Sequence, residues 1–298
     1  MAIGPEVWCD RQMLSDSPFH LRPAEATPNA LEGYSRLLSQ VFGAGPRFTG
    51  AALAWRYGAN PLGQVVGTDA FVGDDLAAHY ATCPAPISVE GRRVKALLSL
   101  NTATHPDHQG RGLFTKLAEA TFEAAGLAGY DLVFGVANAN STPGFVKRLG
   151  FQLVAPLAAG VLCRLPSDLS GGTPQFQGAW EAESLAWRLA NPVTTYKARP
   201  RKATTQVLAP THLPGLACAA ILPGTLETGK MTAPTLPLPR LYLGLEPRMH
   251  LPSLGFIPIP QRLRPSPLNL IYKPLNSTLP QVLDPHQVAI SFLDFDPY

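Results

Sequence analysis

Apolar positions along the first half of the chain fall into two alternating spacings. Leu31, Tyr34, Leu37, Leu38, Val41 and Phe42 lie on one face at helical spacing, after Thr27 and Asn29 as suitable caps. A second helix is predicted over 50–57, ending near Asn60-Pro61. Residues 18–23 read as a short first strand. Residues 65–104 read as a strand meander, with Gly73-Asp74-Asp75 and Glu90-Gly91 as turns and 94–100 as a central strand. A helix over 112–125 follows, with Leu113, Leu117 and Thr121 on one edge and Phe114, Ala118 and Phe122 beside it. Residues 132–137 form a buried-type strand. A short helix near 142–149 is stopped by Gly150, which tolerates a left-handed cap. Residues 151–154 and 160–165 are the last strands of this half. Antiparallel strands followed by strand–helix–strand–helix–strand predict an α+β (mixed α/β) domain. Residues 169–178 have linker composition.

One stretch occurs twice. Residues 53–61 read LAWRYGANP and residues 185–192 read LAWRLANP, with Tyr57 facing Leu189. Two helix ends finished by Asn-Pro would look alike by chance, but identities that include both tryptophans favour a duplication. The expected division is 1–166 and 167–298, the second copy drawing its strands from 217–221, 240–245, 256–259, 268–273 and 288–295. Trp55 and Trp187 then either pack helix ends or, for Trp55, form a stacking wall for a substrate.

Composition adds an asymmetry. The chain has 298 residues, enough for two domains, and its 46% hydrophobic content suits a globular protein. Its 31 prolines argue against long uninterrupted helices. Residues 1–150 hold 12 Lys/Arg and 13 Asp/Glu, whereas 184–283 hold 11 basic residues against Glu227 and Glu246 alone. No apolar run is long enough to span a membrane, and residues 1–22 lack a secretory core. Cys9, Cys83, Cys163 and Cys218 are scattered, so neither a metal site nor a disulfide framework is expected. A reducing, cytoplasmic setting is the expectation.

The strongest chemical signal is HPDHQGRGLF, residues 105–114, between a strand and a helix. Gly110 and Gly112 let the backbone approach a ligand. The next helix adds unpaired N–H groups and the positive end of its dipole, an anion site suited to a pyrophosphate. The Walker pattern is absent, and so is the third glycine of a dinucleotide-binding turn. The alternative is a plain strand–helix turn.

With its strand and helix around it, Gln109-Gly110-Arg111-Gly112-Leu113 resembles the Q/R-x-x-G-x-G/A loop of the GNAT superfamily of acyl-CoA-dependent N-acyltransferases. Phe114 stands where that family usually has Gly or Ala, a departure that narrows the expected loop. Residues 140–151 (NSTPGFVKRLGF) resemble the family's second signature, a short helix ending in Gly-Phe. The resemblance covers about 18–165. It implies a twisted mixed sheet flanked by helices, duplicated here, and acetyl-CoA as co-substrate with no metal. Backbone groups of Thr102, Ala103 and Thr104 would pair with pantetheine amides. Those of Gly110, Arg111, Gly112, Leu113 and Phe114 would hold the pyrophosphate beside Gln109. Asn138, Asn140, Ser141 and Phe145 fall at the pantetheine, although Asn138 and Ser141 equally suit local capping of the short helix.

Catalysis requires a neutral amine, an oxyanion donor and a proton for the thiolate. The resemblance implies a backbone N–H near Thr102 as the donor. The family's thiolate-protonating tyrosine falls on Val146, which has no hydroxyl. His79 is the first candidate for a base, against a purely structural histidine. Asn101 is placed to orient either the acyl carbonyl or the amine. His105 and His108 belong beside the loop.

The second half keeps only Leu254-Gly255-Phe256 of these signatures and reads as a degenerate copy that shapes the acceptor cleft. Its Arg240, Arg248, Arg262 and Arg264 are either a solvated surface or a site for an anionic acceptor group, phosphorylated or nucleotide-linked. No nucleic-acid or membrane partner is expected. Two functions remain: N-acetylation of a small primary amine, such as an amino sugar, by direct attack, or non-catalytic acyl-CoA binding and interaction.

Overall fold

The computed structural model describes residues 18–297 apart from 212, 214, 228–238 and 265, so Cys9 lies outside the described residues. The first half begins with β1 (His20–Pro23), α1 (Pro28–Phe42) and α2 (Gly50–Tyr57). Thr27 and Thr49 cap the two helices, accepting from the N–H groups of Ala30 and Ala52. The antiparallel run β2 (Val66–Val72), β3 (Asp75–Val89) and β4 (Arg92–Thr104) leads into α3 (Leu113–Leu127). β5 (Leu132–Ala137) lies parallel to β4, and α4 (Thr142–Leu149), β6 (Gln152–Pro156) and β7 (Ala158–Leu162) follow. Gly150 ends α4 at φ 69°, the left-handed cap the sequence predicts.

The second half contains β8 (Phe176–Gly178), α5 (Ala182–Leu189), β9 (Lys197–Arg201), β10 (Thr204–Pro210) and β11 (Ala217–Pro223). It ends with β12 (Arg240–Leu245), β13 (Phe256–Pro258), β14 (Asn269–Pro274), β15 (Val288–Ser291) and α6 (Phe292–Phe295). Three expectations change. The end of the linker-like stretch is β8, held between β3 and β15. The strand expected over 288–295 stops at Ser291, where Ser291 and Asp294 form a capping box that opens α6. β9 and β10 were not legible, because KARPR carries three cations and a proline and reads as a loop. β9 tolerates them as the terminal strand of the sheet.

Among the described residues fifteen strands join one mixed sheet, with the main order β6-β14-β5-β4-β3-β8-β15-β12-β11-β10-β9. The same plan occurs twice. β9, β10 and the parallel pair β11/β12 repeat β2–β5. Leu254-Gly255-Phe256 repeats Leu149-Gly150-Phe151, with Gly255 again left-handed at φ 65°. Each half lends a strand to the other: β14 lies between β5 and β6, and β7 lies between β12 and β13.

Helices flank the sheet and set its two layers of core. On one face α3 and α4 bury Leu113, Leu117, Phe122 and Phe145 with Phe151. On the other face α1 and α2 bury Leu38, Leu53 and Tyr57. Each fully buried leucine of this kind contributes about 2 kcal/mol. Among the described residues no helix is long and apolar enough to cross a membrane.

Candidate active site

The site begins where β4 and β5 part. Their pairing ends at Ser99 and Gly135, so β4 from Leu100 to Thr104 keeps one edge free of strand partners. A bulge then sets Asn101 and Thr102 against Tyr80 alone. Asn101 takes φ 48°, a left-handed conformation uncommon outside glycine and typical of sites where the surroundings fix the backbone.

On one side of this parting lies the glycine loop. Gly110 and Gly112 sit at φ 74° and 73°, and a Cβ on either would meet nothing within 4 Å. Among the described residues none of the backbone N–H groups from Gly110 to Phe114 donates to a backbone carbonyl. Five open amides at the head of the fifteen-residue helix α3 suit a pyrophosphate. Gln109 Nε2 donates to the Thr104 carbonyl at 3.3 Å, and Arg111 Nη2 to the Asp107 carbonyl at 3.3 Å, which shape the turn. Phe114 does not narrow the loop. Its ring meets Phe145 edge-on at 5.2 Å and rests against Gly144, so its bulk goes between α3 and α4.

Asn138 follows β5 and uses its side chain locally. Its Oδ1 accepts from the N–H groups of Asn140 and Ser141 and from Ser141 Oγ, at 2.9–3.1 Å. These contacts tie up the turn that leads into α4, while Ser141 at the head of the helix makes no side-chain capping bond. Phe145 is buried in the α3–α4 layer.

On the other side a cavity of about 340 Å³ opens. Leu100 and Asn101 of β4 face Val136 and Asn138 across it. Phe48, Arg47 and Arg56 come from the α1–α2 region, and Phe295, Asp296 and Pro297 close the far wall. Among the described residues the charged lining residues are Arg47, Arg56 and Asp296. Asp296 is 5% exposed and accepts from Arg56 at 2.6 Å, Arg188 at 2.7 Å, Asn191 at 3.2 Å and the Tyr196 hydroxyl. Burial would raise its pKa, but the two guanidiniums outweigh this and hold it below the usual carboxylate value.

Behind Asn101 runs a buried chain. Asn101 Nδ2 donates to Tyr57 Oη at 3.0 Å, and Tyr57 Oη is 3.0 Å from His79 Nε2. His79 Nδ1 is 2.6 Å from Asp69 Oδ1, and Asp69 Oδ2 accepts from the Tyr34 hydroxyl at 2.6 Å. With His79 neutral every link has one donor: Tyr57 donates to Nε2, and Nδ1–H donates to Asp69. That order commits the NH2 of Asn101 to Tyr57 and leaves its Oδ1 as the free acceptor. Burial raises the Tyr57 and Tyr34 hydroxyls far above their ordinary pKa, so both stay neutral donors.

Several expected site residues lie elsewhere. His79 is fully buried with both ring nitrogens engaged, so it does not line the cavity and is linked to it through Tyr57 and Asn101. Trp55 stacks on Trp187 with centroids 4.5 Å apart. Each indole N–H donates to the other's backbone carbonyl, at 3.2 and 3.3 Å. The pair is a joint between the repeats, not a wall of the cavity. Arg240 is 5% exposed within β12 between β7 and β11. Arg248 pairs with Glu246 at 2.7 Å, and Arg264 donates to the Ile259 and Ala159 carbonyls. Arg262 is exposed on a turn. None of the four lines the cavity.

Tyr57, Asp69, Arg47, Arg56 and Asp296 escaped the sequence reading. The repeat carried a signal for two of them. Its matched arginines, Arg56 and Arg188, share one carboxylate, and its mismatch, Tyr57 against Leu189, is where one copy gained a hydroxyl.

Residues 22–154 match the family model of the acetyltransferase (GNAT) domain. That stretch of the first half is therefore similar to a GNAT acetyltransferase domain. A GCN5-related N-acetyltransferase from Kribbella flavida shares its fold at a TM-score of 0.58, with 14% identity over 86% of this chain and 72% of that one. Another from Anabaena variabilis does so at 0.57, with 9% identity over 86% and 73%. No curated protein matches the sequence. Among the described residues no group of three or more His, Cys, Asp or Glu is arranged to hold a metal ion.

Proposed function

We propose that the protein transfers an acetyl group from acetyl-CoA to a small primary amine, with residues 1–166 as the working GNAT copy and 167–298 as a second copy that shapes the acceptor side. The observation that carries this reading is the meeting of an open amide cradle, a free β4 edge and a cavity at one parting of strands. The amides of Gly110 to Phe114 would hold the pyrophosphate, and the free edge from Leu100 to Thr104 would bond the pantetheine. Asn101 Oδ1 would accept a hydrogen bond from the attacking amine and aim its lone pair. Tyr57 and His79 act as positioning residues behind it. A backbone N–H at the bulge would stabilise the oxyanion.

Direct attack suits the cysteines. Burial pushes the Cys83 thiol up to about 12, which leaves it protonated and a poor nucleophile. The nucleotide-linked amino sugar loses the four arginines that suggested it. A cytoplasmic setting belongs to the same reading.

The test is acetyl-CoA-dependent thiol release over a panel of primary amines that includes nucleotide-linked amino sugars. Turnover with at least one amine is expected. Tight CoA binding without turnover on any amine would favour the binding-only reading, for which the absence of a hydroxyl at Val146 is the motivating feature.

A further inference from the structure

The cavity beside Asn101 is cationic. Arg56 is neutralised only in part, because its carboxylate partner Asp296 also serves Arg188. Arg47 forms no ion pair or side-chain hydrogen bond among the described residues, and its guanidinium lies over the Phe48 ring with 4.6 Å to the centroid. Stacking on Phe48 orients the planar fork without using its N–H donors. Among the described lining residues, two arginines and one shared carboxylate give an excess of positive charge. A simple amine, itself cationic in water, would be repelled there unless it brought its own anion. Arg47 and Arg56 come from the α1–α2 region and line this cavity, whereas the amide cradle is at the head of α3.

We infer that Arg47, with Arg56 beside it, binds an anionic group on the acceptor, so that the substrate class is an amine carrying a carboxylate or a phosphate. This inference rests on the proposed acetyl transfer. The anion would sit on the Arg47 fork and the amine would extend across the cavity to Asn101.

Matched pairs of amines test it: tyrosine against tyramine for a carboxylate, and O-phosphoethanolamine against ethanolamine for a phosphate. Thiol release is read with wild type, Arg47→Met and Arg47→Lys. Wild type should favour the anionic member of at least one pair. Arg47→Met should lower kcat/KM for that member about tenfold or more, the size of a charge-assisted contact. It should not lower kcat/KM for the partner that lacks the anion, nor raise the KM for acetyl-CoA, and Arg47→Lys should restore part of the loss. Which pair responds distinguishes carboxylate from phosphate. Equal loss for both members of each pair, or a change confined to the KM for acetyl-CoA, would overturn the assignment. If no amine turns over, the transfer reading fails by itself. Titration of the same amines into CoA-loaded protein then decides the arginine site, since Arg47-dependent binding of an anionic amine upholds it and its absence rejects it.

Discussion

In the first half, β4 and β5 pair as far as Ser99 and Gly135, and the freed β4 edge looks onto a cavity of about 340 Å³. In the second half, β11 and β12 pair only at 217–218 with 240–241, and the parting begins sooner. There the freed edge of β12 is taken by β15, which bonds it at Gly244 and Leu245. A Cβ at Gly244 would collide with the Ile290 carbonyl, so glycine is what admits the inserted strand. Among the described residues a pocket of about 20 Å³ lies nearby, enough for a single water. One strand plan has thus been used in two ways, open for a ligand in one copy and filled by the chain itself in the other. β15 leads into α6 and Asp296, so the segment that fills the second site also builds a wall of the first.

The contrast can be attacked first at Asp296, where the halves are joined. Asp296→Ala leaves Arg56 and Arg188 without their carboxylate and should destabilise the protein by about 3–5 kcal/mol in denaturant unfolding. The pH dependence has a definite sign. Because the folded pKa is lowered, the contribution of Asp296 is fully present above its unfolded value and is lost as pH falls through the folded one. Asp294, raised by burial, contributes with the opposite sign, so the measure is the difference between wild type and Asp296→Asn. That difference should shrink as the medium becomes acidic below about pH 4. A constant difference would remove Asp296 as the anionic clamp.

Next in size is Gly112→Glu, which sets a side chain at φ 73° and a negative charge in the amide cradle. Acetyl-CoA affinity should fall roughly 100-fold, about 2.7 kcal/mol. Undiminished affinity would move the cofactor away from α3. A smaller effect is expected of Tyr57→Phe, which removes the hydroxyl that orients Asn101. Acceptor kcat/KM should drop about tenfold with the KM for acetyl-CoA unchanged. In an Asn101→Ala background the same change should cost little more, and full additivity would reduce the chain to a structural role.

The smallest effect belongs to the filled copy. Among the described residues the buried Tyr242 hydroxyl has no hydrogen-bond partner, so Tyr242→Phe should raise stability by about 0.5–1 kcal/mol and leave turnover unaltered. Loss of turnover would make the second site functional.

Legibility followed sequence distance. Helices α1 to α4 and the meander could be read because caps, periodicity and turns are local signals. The glycine loop could be read because five consecutive residues carry it. The exchange of β7 and β14 could not, since their partners are about 80 and about 140 residues away and edge pairing leaves no mark on hydrophobic spacing. His79 was legible as a polar residue in a strand, but its distance from the cavity depends on Tyr57 and Asp69, brought to it by α2 and β2. The acceptor arginines were sought in the basic second half because net charge drew attention there. The cavity instead took Arg47 and Arg56 from the nearly neutral first half, where position outweighs number.

The most direct measurement is the stoichiometry of acetyl-CoA binding by titration calorimetry. One open and one filled parting predict a single site per chain, weakened roughly 100-fold by Gly112→Glu and untouched by Tyr242→Phe. Two sites per chain, or one site whose affinity Gly112→Glu leaves unchanged, would contradict it.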